Sequence, residues 1–324
     1  MALRNLWCRE KMKRSTLLEY IESPCDLIAC DEVDSTNDVV RRLLAQSETA
    51  PPEARSSDKP LVVIADRQTA GRGRLGRTWA SPPGGAYISL SFALDVTGEH
   101  LSALPLVVAC AVRRALCLSE DDGASEDAGT SDGEGTCSSL IQIKWPNDIV
   151  LVQGTHVSKL AGILIETVGA SRKSLSAQQA DTITETLVAG RNLQSAPSSQ
   201  VIIGVGVNII RPAQGADERA CYLSDLVPGN LDSELCAARV INAICAYVKA
   251  WEAESFSFAA FCEEYERYLA LVGKTVMVSQ ADGSVLAKGA VRGVNDRGQL
   301  LVQSAGSREE IQAVFAGEVT LRSS

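Results

Sequence analysis

Gly71-Arg72-Gly73-Arg74-Leu75-Gly76-Arg77-Thr78-Trp79 follows closely on the apolar run Leu61-Val62-Val63-Ile64-Ala65, and what comes after it decides between two folds. Its letters satisfy G-x-G-x-x-G, the dinucleotide-binding fingerprint, and Asp95 lies about 20 residues on, where a ribose-binding acid is expected. That fold needs the third glycine to open a helix. Here Thr78-Trp79-Ala80-Ser81-Pro82-Pro83-Gly84-Gly85 follows, which cannot run helically past its first turn. The segment therefore reads as a flexible cationic loop on a buried strand. Its glycines let backbone approach a ligand, and its guanidinium forks suit carboxylate or phosphate. The reading that follows is a small anionic ligand; an arginine-glycine segment for RNA and an ordinary solvated loop are the other two.

Composition narrows these. The chain has 324 residues and a net charge of −9, enough for one large domain or a large and a small one. Residues 119–139 carry seven acids and no base, so without them the charge falls from −9 to −2. A near-neutral body with one cationic loop lacks the broad basic patch of a nucleic-acid binder. Ten cysteines are scattered without a C-x-x-C pair, and read as reduced thiols. With His100 and His156 the only histidines, no zinc site is expected. No apolar run reaches the roughly 18 residues of a membrane span, so a soluble, cytoplasmic protein is expected. Arg4, Arg9, Lys11, Lys13 and Arg14 against Glu10 leave a mitochondrial presequence open beside a frayed basic terminus.

Three stretches, 46–60, 119–139 and 170–200, are rich in Ser, Ala, Gly, Pro and charge and read as surface insertions. Between them lie strand-like runs at 61–65, 86–94, 140–143, 160–165 and 201–210, several alternating as in a sheet with one covered face. Ser35 and Thr36 precede a helix over 38–46. Ile241, Ile244, Cys245, Val248 and Trp251 mark a second helix, and Phe258, Phe261, Tyr265, Tyr268 and Leu269 a third that Gly273 would stop. From Lys274 on, short β-like pieces separated by turns suggest a small barrel.

Polar clusters sit at the ends of these strands. Lys144-Trp145-Pro146-Asn147-Asp148 closes one, Lys159 opens Leu160-Ala161-Gly162-Ile163-Leu164-Ile165, and Gly204-Val205-Gly206-Val207-Asn208 ends another. Singly, such lysines are ordinarily just solvated, and the paired glycines fit either a bulged core strand or a place where a flat ligand lies against backbone. Taken with Arg72 and Arg74, they suit chemistry that brings a carboxylate to the α-phosphate of ATP, which needs several fixed cations and usually Mg²⁺.

In this order the segments Asp34-Ser35-Thr36-Asn37, Gln68-Thr69-Ala70-Gly71-Arg72-Gly73-Arg74, Lys144-Trp145-Pro146-Asn147-Asp148, Lys159-Leu160-Ala161-Gly162-Ile163-Leu164 and Gly204-Val205-Gly206-Val207-Asn208 resemble the motifs of biotin protein ligases. The resemblance covers roughly 31–322 apart from the insertions. It implies an α+β fold, a central mixed β-sheet with packed helices as in class II aminoacyl-tRNA synthetases and biotin-lipoate ligases. A ligase domain over 31–271 would follow an extension of 1–30 and precede an SH3-like barrel over 272–324.

The implied activity forms biotinyl-5′-AMP from biotin and ATP with Mg²⁺, then biotinylates one lysine of a carboxylase's biotin-carrier domain. Carried over by residue, Ser35, Thr36, Asn37, Gln68, Gly71, Arg72, Gly73, Arg74, Lys159, Gly162, Gly204 and Gly206 would bind biotin. Arg74, Arg77, Trp79, Lys144, Asn147, Asp148 and Asn208 would line the ATP side, with Asp148 the candidate Mg²⁺ contact. Lys159, Arg74 and Arg72 would serve the reaction. Only about thirty residues precede Asp31-Glu32-Val33-Asp34, too few for a DNA-binding winged helix, so no DNA partner is expected. A monomer or weak homodimer, with no membrane partner, completes the expectation. A lipoate or octanoate ligase, or a non-catalytic biotin-binding regulator, is the alternative.

Overall fold

A computed structural model of the chain describes residues 14–48, 59–96, 98–117, 140–168, 199–213, 220–227, 231–304 and 310–321. The expectations for the basic N-terminus and, apart from their edges, for the three insertions lie outside these residues. Strands β1 (Asp26–Val33), β2 (Leu61–Gln68), β3 (Ala86–Leu94), β4 (Ile141–Lys144), β5 (Asp148–Gln153), β6 (His156–Val168) and β7 (Ser199–Val207) form one sheet. Its order is β1-β2-β3-β7-β6-β5-β4. β1 runs parallel to β2, and the other neighbouring pairs are antiparallel, so the sheet is mixed as expected.

Each face of the sheet has a different cover. Of the helices α1 (Arg14–Tyr20), α2 (Thr36–Glu48), α3 (Gly98–Leu101), α4 (Leu104–Leu116), α5 (Ser233–Ala253) and α6 (Cys262–Arg267), α4 and α5 pack together against one face. α5 opens on Asp232, whose carboxylate accepts from the Glu234 and Leu235 amides at 2.8 and 3.2 Å, satisfying donors that the first turn leaves over. Of its expected apolar stripe, Ile241, Ile244, Val248 and Trp251 are buried and Cys245 is half-buried. On the opposite face α2 sets Val40 and Leu44 on Val63 of β2 and Ile202 of β7. This small cluster covers part of the face and leaves the strip over β7, β6 and β5 for other groups.

The expected third helix is shorter than its periodicity suggested. Phe258 and Phe261 are buried from a 3-10 turn, and α6 ends at Arg267, so the apolar stripe survives where the helix does not. Tyr268 and Ala270 instead bond to the main chain of Ile143 at 2.7 and 2.9 Å, which covers the edge strand β4.

β8 (Thr275–Ser279), β9 (Val285–Val294), β10 (Leu300–Ser304), β11 (Ile311–Val314) and β12 (Glu318–Leu321) supply the five short strands expected at the C-terminus. They form an antiparallel sheet in the order β11-β10-β9-β8-β12. Trp145, 2% exposed, joins the two sheets by donating its indole N–H to the Gly298 carbonyl at 3.0 Å. Among the described residues no helix is long and apolar enough to cross a membrane.

Candidate active site

Strand register assembles the floor of a groove. Across the sheet, Tyr87, Gly206, Gly162 and Asp148 fall in one row, Ser89, Gly204 and Leu164 in the next, and Ser91, Ile202 and Glu166 in a third. Side chains along a strand alternate faces, so each row presents its residues to one side. Glycine occupies the places where another element comes down onto the sheet. A Cβ at Gly206 or Gly162 would overlap the Trp79 indole, and one at Gly204 would overlap the Asn37 amide. The sequence suggested a flat ligand against these glycines; in this structure the flat group there is the ring of Trp79 itself.

One end of the groove is uncharged and densely hydrogen-bonded. Ser35, Thr36 and Asn37, at the β1–α2 junction, are all under 5% exposed. Gln68 closes β2 and accepts through Oε1 from the Thr36 amide at 2.9 Å, while its Nε2 donates to Ser81 at 2.8 Å. Fully buried Ser89 lies 2.7 Å from the Thr36 hydroxyl and 2.5 Å from Asn37 Oδ1. The Asn37 amide nitrogen in turn donates to Glu166 at 2.6 Å.

The cationic loop folds back over this floor. Arg72 pairs with Thr78 as an antiparallel bridge, Gly73 N–H donates to Arg77 O at 2.7 Å, and Trp79 N–H to Gly71 O at 2.9 Å. Leu75 and Gly76 make the tight reversal with φ of 55° and 69°. The two central arginines serve different ends. Arg72 donates to Asp38 at 2.9 Å and Glu166 at 3.1 Å, anchoring the loop on α2 and β6. Arg74 reaches across the groove to Asn147 Oδ1 at 2.9 Å, and burial pushes its guanidinium down against the opposing field of Asp148. Arg77 leaves the groove and pairs with Glu318 of β12.

Lys159 stands at the other end, where the β5–β6 register shifts between Ile149 and Val150. Its Nζ is 2.7 Å from Asp148 Oδ1 and 4.9 Å from the centre of the Trp79 ring. Asn208 gives its amide N–H to the Lys159 carbonyl at 3.2 Å, so it braces the lysine's backbone instead of lining the groove. Lys144 ends β4 as the register partner of Asp148 and likewise lies outside the lining.

Ser35, Thr36, Asn37, Gln68, Arg72, Gly73, Arg74, Trp79, Asn147, Lys159, Gly162, Gly204 and Gly206 thus border a single groove. Sequence reading passed over Glu166, Ser89 and Asp38, which hold that lining in place. An acid directly after the apolar run Leu160–Ile165 of β6, on the same face as Gly162, was the available signal for Glu166. No cluster of three or more potential metal ligands occurs among the described residues.

The sequence model of the Biotin/lipoate A/B protein ligase family matches residues 34–177. Over those residues the chain is similar to that family. It is 26% identical over 294 residues to the bifunctional ligase/repressor BirA of Escherichia coli, covering 90% of this chain and 72% of that protein. To the biotin--[acetyl-CoA-carboxylase] ligase of Paracoccus denitrificans it is 27% identical over 263 residues, covering 79% and 90%. Among solved structures, the biotin protein ligase of Aquifex aeolicus in complex with biotin and ATP shares its fold, with a TM-score of 0.59 at 24% identity over 92% of this chain and 99% of that one. The ligase-domain match begins at Asp34, one residue before the uncharged end of the groove, and takes in Gln68, the cationic loop, Lys159 and Glu166. Gly204 and Gly206 on β7 complete the floor from beyond it.

Proposed function

We propose that this protein is an ATP-dependent biotin protein ligase. The observation that carries the reading is the polarity of the groove: a neutral, hydrogen-bonding end at Thr36, Asn37 and Gln68, and a cationic end at Lys159 and Arg74. Biotin has the matching polarity, with a ureido ring at one end and a carboxylate at the other. Its carboxylate oxygen would attack the α-phosphorus of ATP, forming the acyl–phosphate bond of biotinyl-5′-AMP while the bond to pyrophosphate breaks. Two anions meet in that step, and Lys159, between Asp148 and Trp79, would offset the charge as it builds. In the second half-reaction a lysine amine of the acceptor attacks the acyl carbon, AMP leaves, and the nitrogen gives up a proton.

The loop's part is containment. An acyl adenylate exposed to water hydrolyses, and Arg74, bridging to Asn147 across the groove, closes the site over it. Mg²⁺ fits as an ion brought by the triphosphate, because it is usually held by one or two carboxylates with phosphate and water oxygens. Asp148 is the carboxylate at hand, and bound Mg²⁺ would supply charge neutralisation there. Asn208 and Lys144 would act on the ATP side, Asn208 through the Lys159 backbone. The acceptor would be a biotin-carrier domain of an acetyl-CoA-carboxylase-type enzyme, the class named for the Paracoccus relative.

The deciding experiment measures pyrophosphate release with ATP and Mg²⁺ in the presence of biotin, lipoate or octanoate, then acyl transfer to a carrier domain. Release and transfer with biotin alone is the expected result. Release with lipoate or octanoate alone would replace the substrate, and tight biotin binding without release would make the protein a regulator.

A further inference from the structure

Lys159 faces the groove because β6 carries one residue more than its neighbour β5. Ile149 and Val150 of β5 stand opposite Ala161 and Lys159, so Leu160 has no partner in β5 and forms a bulge. In an unbroken strand Lys159 would share the face of Ala161, which is fully buried with Leu160 in the helix-covered core. With the bulge, Leu160 fills that core and Lys159 turns to the side of Gly162 and Asp148. Whatever holds the bulge therefore aims the lysine.

The bulge is held by a clip with two legs, 208–211 and 220–225. At its inner end Asn208 donates its main-chain N–H to the Leu160 carbonyl at 2.9 Å and its side-chain N–H to the Lys159 carbonyl at 3.2 Å. Cys221 N–H reaches that same Lys159 carbonyl at 3.0 Å. The legs are joined in turn by Leu223 N–H to Asn208 O at 3.0 Å, Ser224 N–H to Ile209 O at 2.8 Å and Arg211 N–H to Ser224 Oγ at 3.1 Å. At the outer end Arg211 forks onto both Asp225 oxygens at 2.9 and 2.6 Å, and its guanidinium lies 4.6 Å from the centre of the Tyr222 ring. Asp225 also accepts the Tyr222 N–H at 2.9 Å, and its hydrogen bonds from Arg211 lower its pKa. Exposed ion pairs contribute little as a rule, but a bidentate, stacked pair with a further bond to main chain fixes geometry. We propose that Arg211 and Asp225 are positioning residues for Lys159, closing the clip that maintains the bulge in β6. The inference rests on the ligase reading, in which Lys159 meets the reacting anions.

Single-turnover pyrophosphate release with biotin, ATP and Mg²⁺ is compared in the full chain and its Asp225→Asn and Arg211→Gln variants. Each substitution is also made in the Lys159→Ala background, with melting curves to establish folding. Rate falls steeply when a reacting group is displaced, so each single variant should be at least about fivefold slower. Once the Lys159 amine is gone nothing remains to aim, and the same substitutions should slow Lys159→Ala by less than about twofold. Damage that is merely structural would multiply the Lys159→Ala loss instead. A folded single variant less than about fivefold slower, or a further loss of about twofold or more in the Lys159→Ala background, overturns the positioning role and leaves the ligase reading intact. Should Asp225→Asn fail to fold, Arg211→Gln, on the more exposed partner, decides. Absence of pyrophosphate release from the parent chain overturns both.

Discussion

Lys159 and Asp34 illustrate two different uses of charge at the scale of a single residue. Lys159 is held between an acid and an aromatic face, with its own carbonyl tied down by Asn208. In the proposed mechanism its removal would take away a prearranged cation where charge develops, so Lys159→Ala should slow adenylate formation by about 10²- to 10³-fold. Single-turnover pyrophosphate release checks this, and a loss below tenfold would take Lys159 out of the mechanism. Asp34 is structural: Arg42 holds it by two bonds of 2.7 and 2.9 Å, and that contact lowers its pKa to about 2. Because the folded-state value lies below the unfolded one, the contribution to stability is complete above about pH 4 and is lost as pH falls toward 2. In Arg42→Ala the Asp34 titration, followed by NMR, should move up toward the ordinary carboxylate value.

Among the elements, the loop 71–79 shows the division of labour best. Sequence reading put both Arg72 and Arg74 among the biotin-binding and reacting residues and gave Arg74 a place on the ATP side as well. The structure sends them apart instead: Arg72 lies in the bridge to Thr78 and anchors at Asp38 and Glu166, whereas Arg74 opens the tight turn 74–76 and reaches across the groove. Arg74→Gly should therefore leave the loop attached but unable to close, so that adenylate escapes and labels lysines at random. Biotin incorporated into a bystander protein lacking a carrier domain is the readout; unchanged selectivity would refute it. The element least legible in the sequence was α4. Leu104, Leu106, Val107, Val108, Ala109, Cys110, Ala111 and Val112 are all buried, so no polar face marks a helical period, and the run carries no periodic signal by itself. α5 was legible because one of its faces meets solvent.

For the whole molecule, the question is how the C-terminal sheet bears on the groove. Among the side chains that cross to it are two from the segments around the groove: Trp145, within the Lys-Trp-Pro-Asn-Asp motif, and Arg77, at the end of the loop. Trp145→Phe keeps most of the apolar volume but leaves the Gly298 carbonyl without its buried donor, at a cost of about 1–3 kcal/mol. Urea denaturation should register this as a lower midpoint, with the groove's biotin affinity little changed. The acidic segment 119–139 lies between the end of α4 at Leu116 and the start of β4 at Ile141, outside the described residues. Closing a shorter connection costs little chain entropy, so its excision should leave pyrophosphate release and transfer within twofold. A folded but inactive deletion protein would show that the segment takes part.

Local pattern was enough for much of this protein: the strands 61–65 and 86–94, the amphipathic α5, the five C-terminal strands and the segments that border the groove. These depend on period, turn chemistry and residue type, which neighbours in sequence carry among themselves. Tertiary structure alone decided that Trp79 occupies the glycine floor, that Arg72 and Arg74 part company, and that Asn208 braces Lys159 from behind. It also brought Glu166 to Asn37, 129 positions away, making one hydrogen-bonded relay from residues on three elements. Such roles follow from the register of antiparallel strands, where a one-residue slip would turn every side chain to the opposite face.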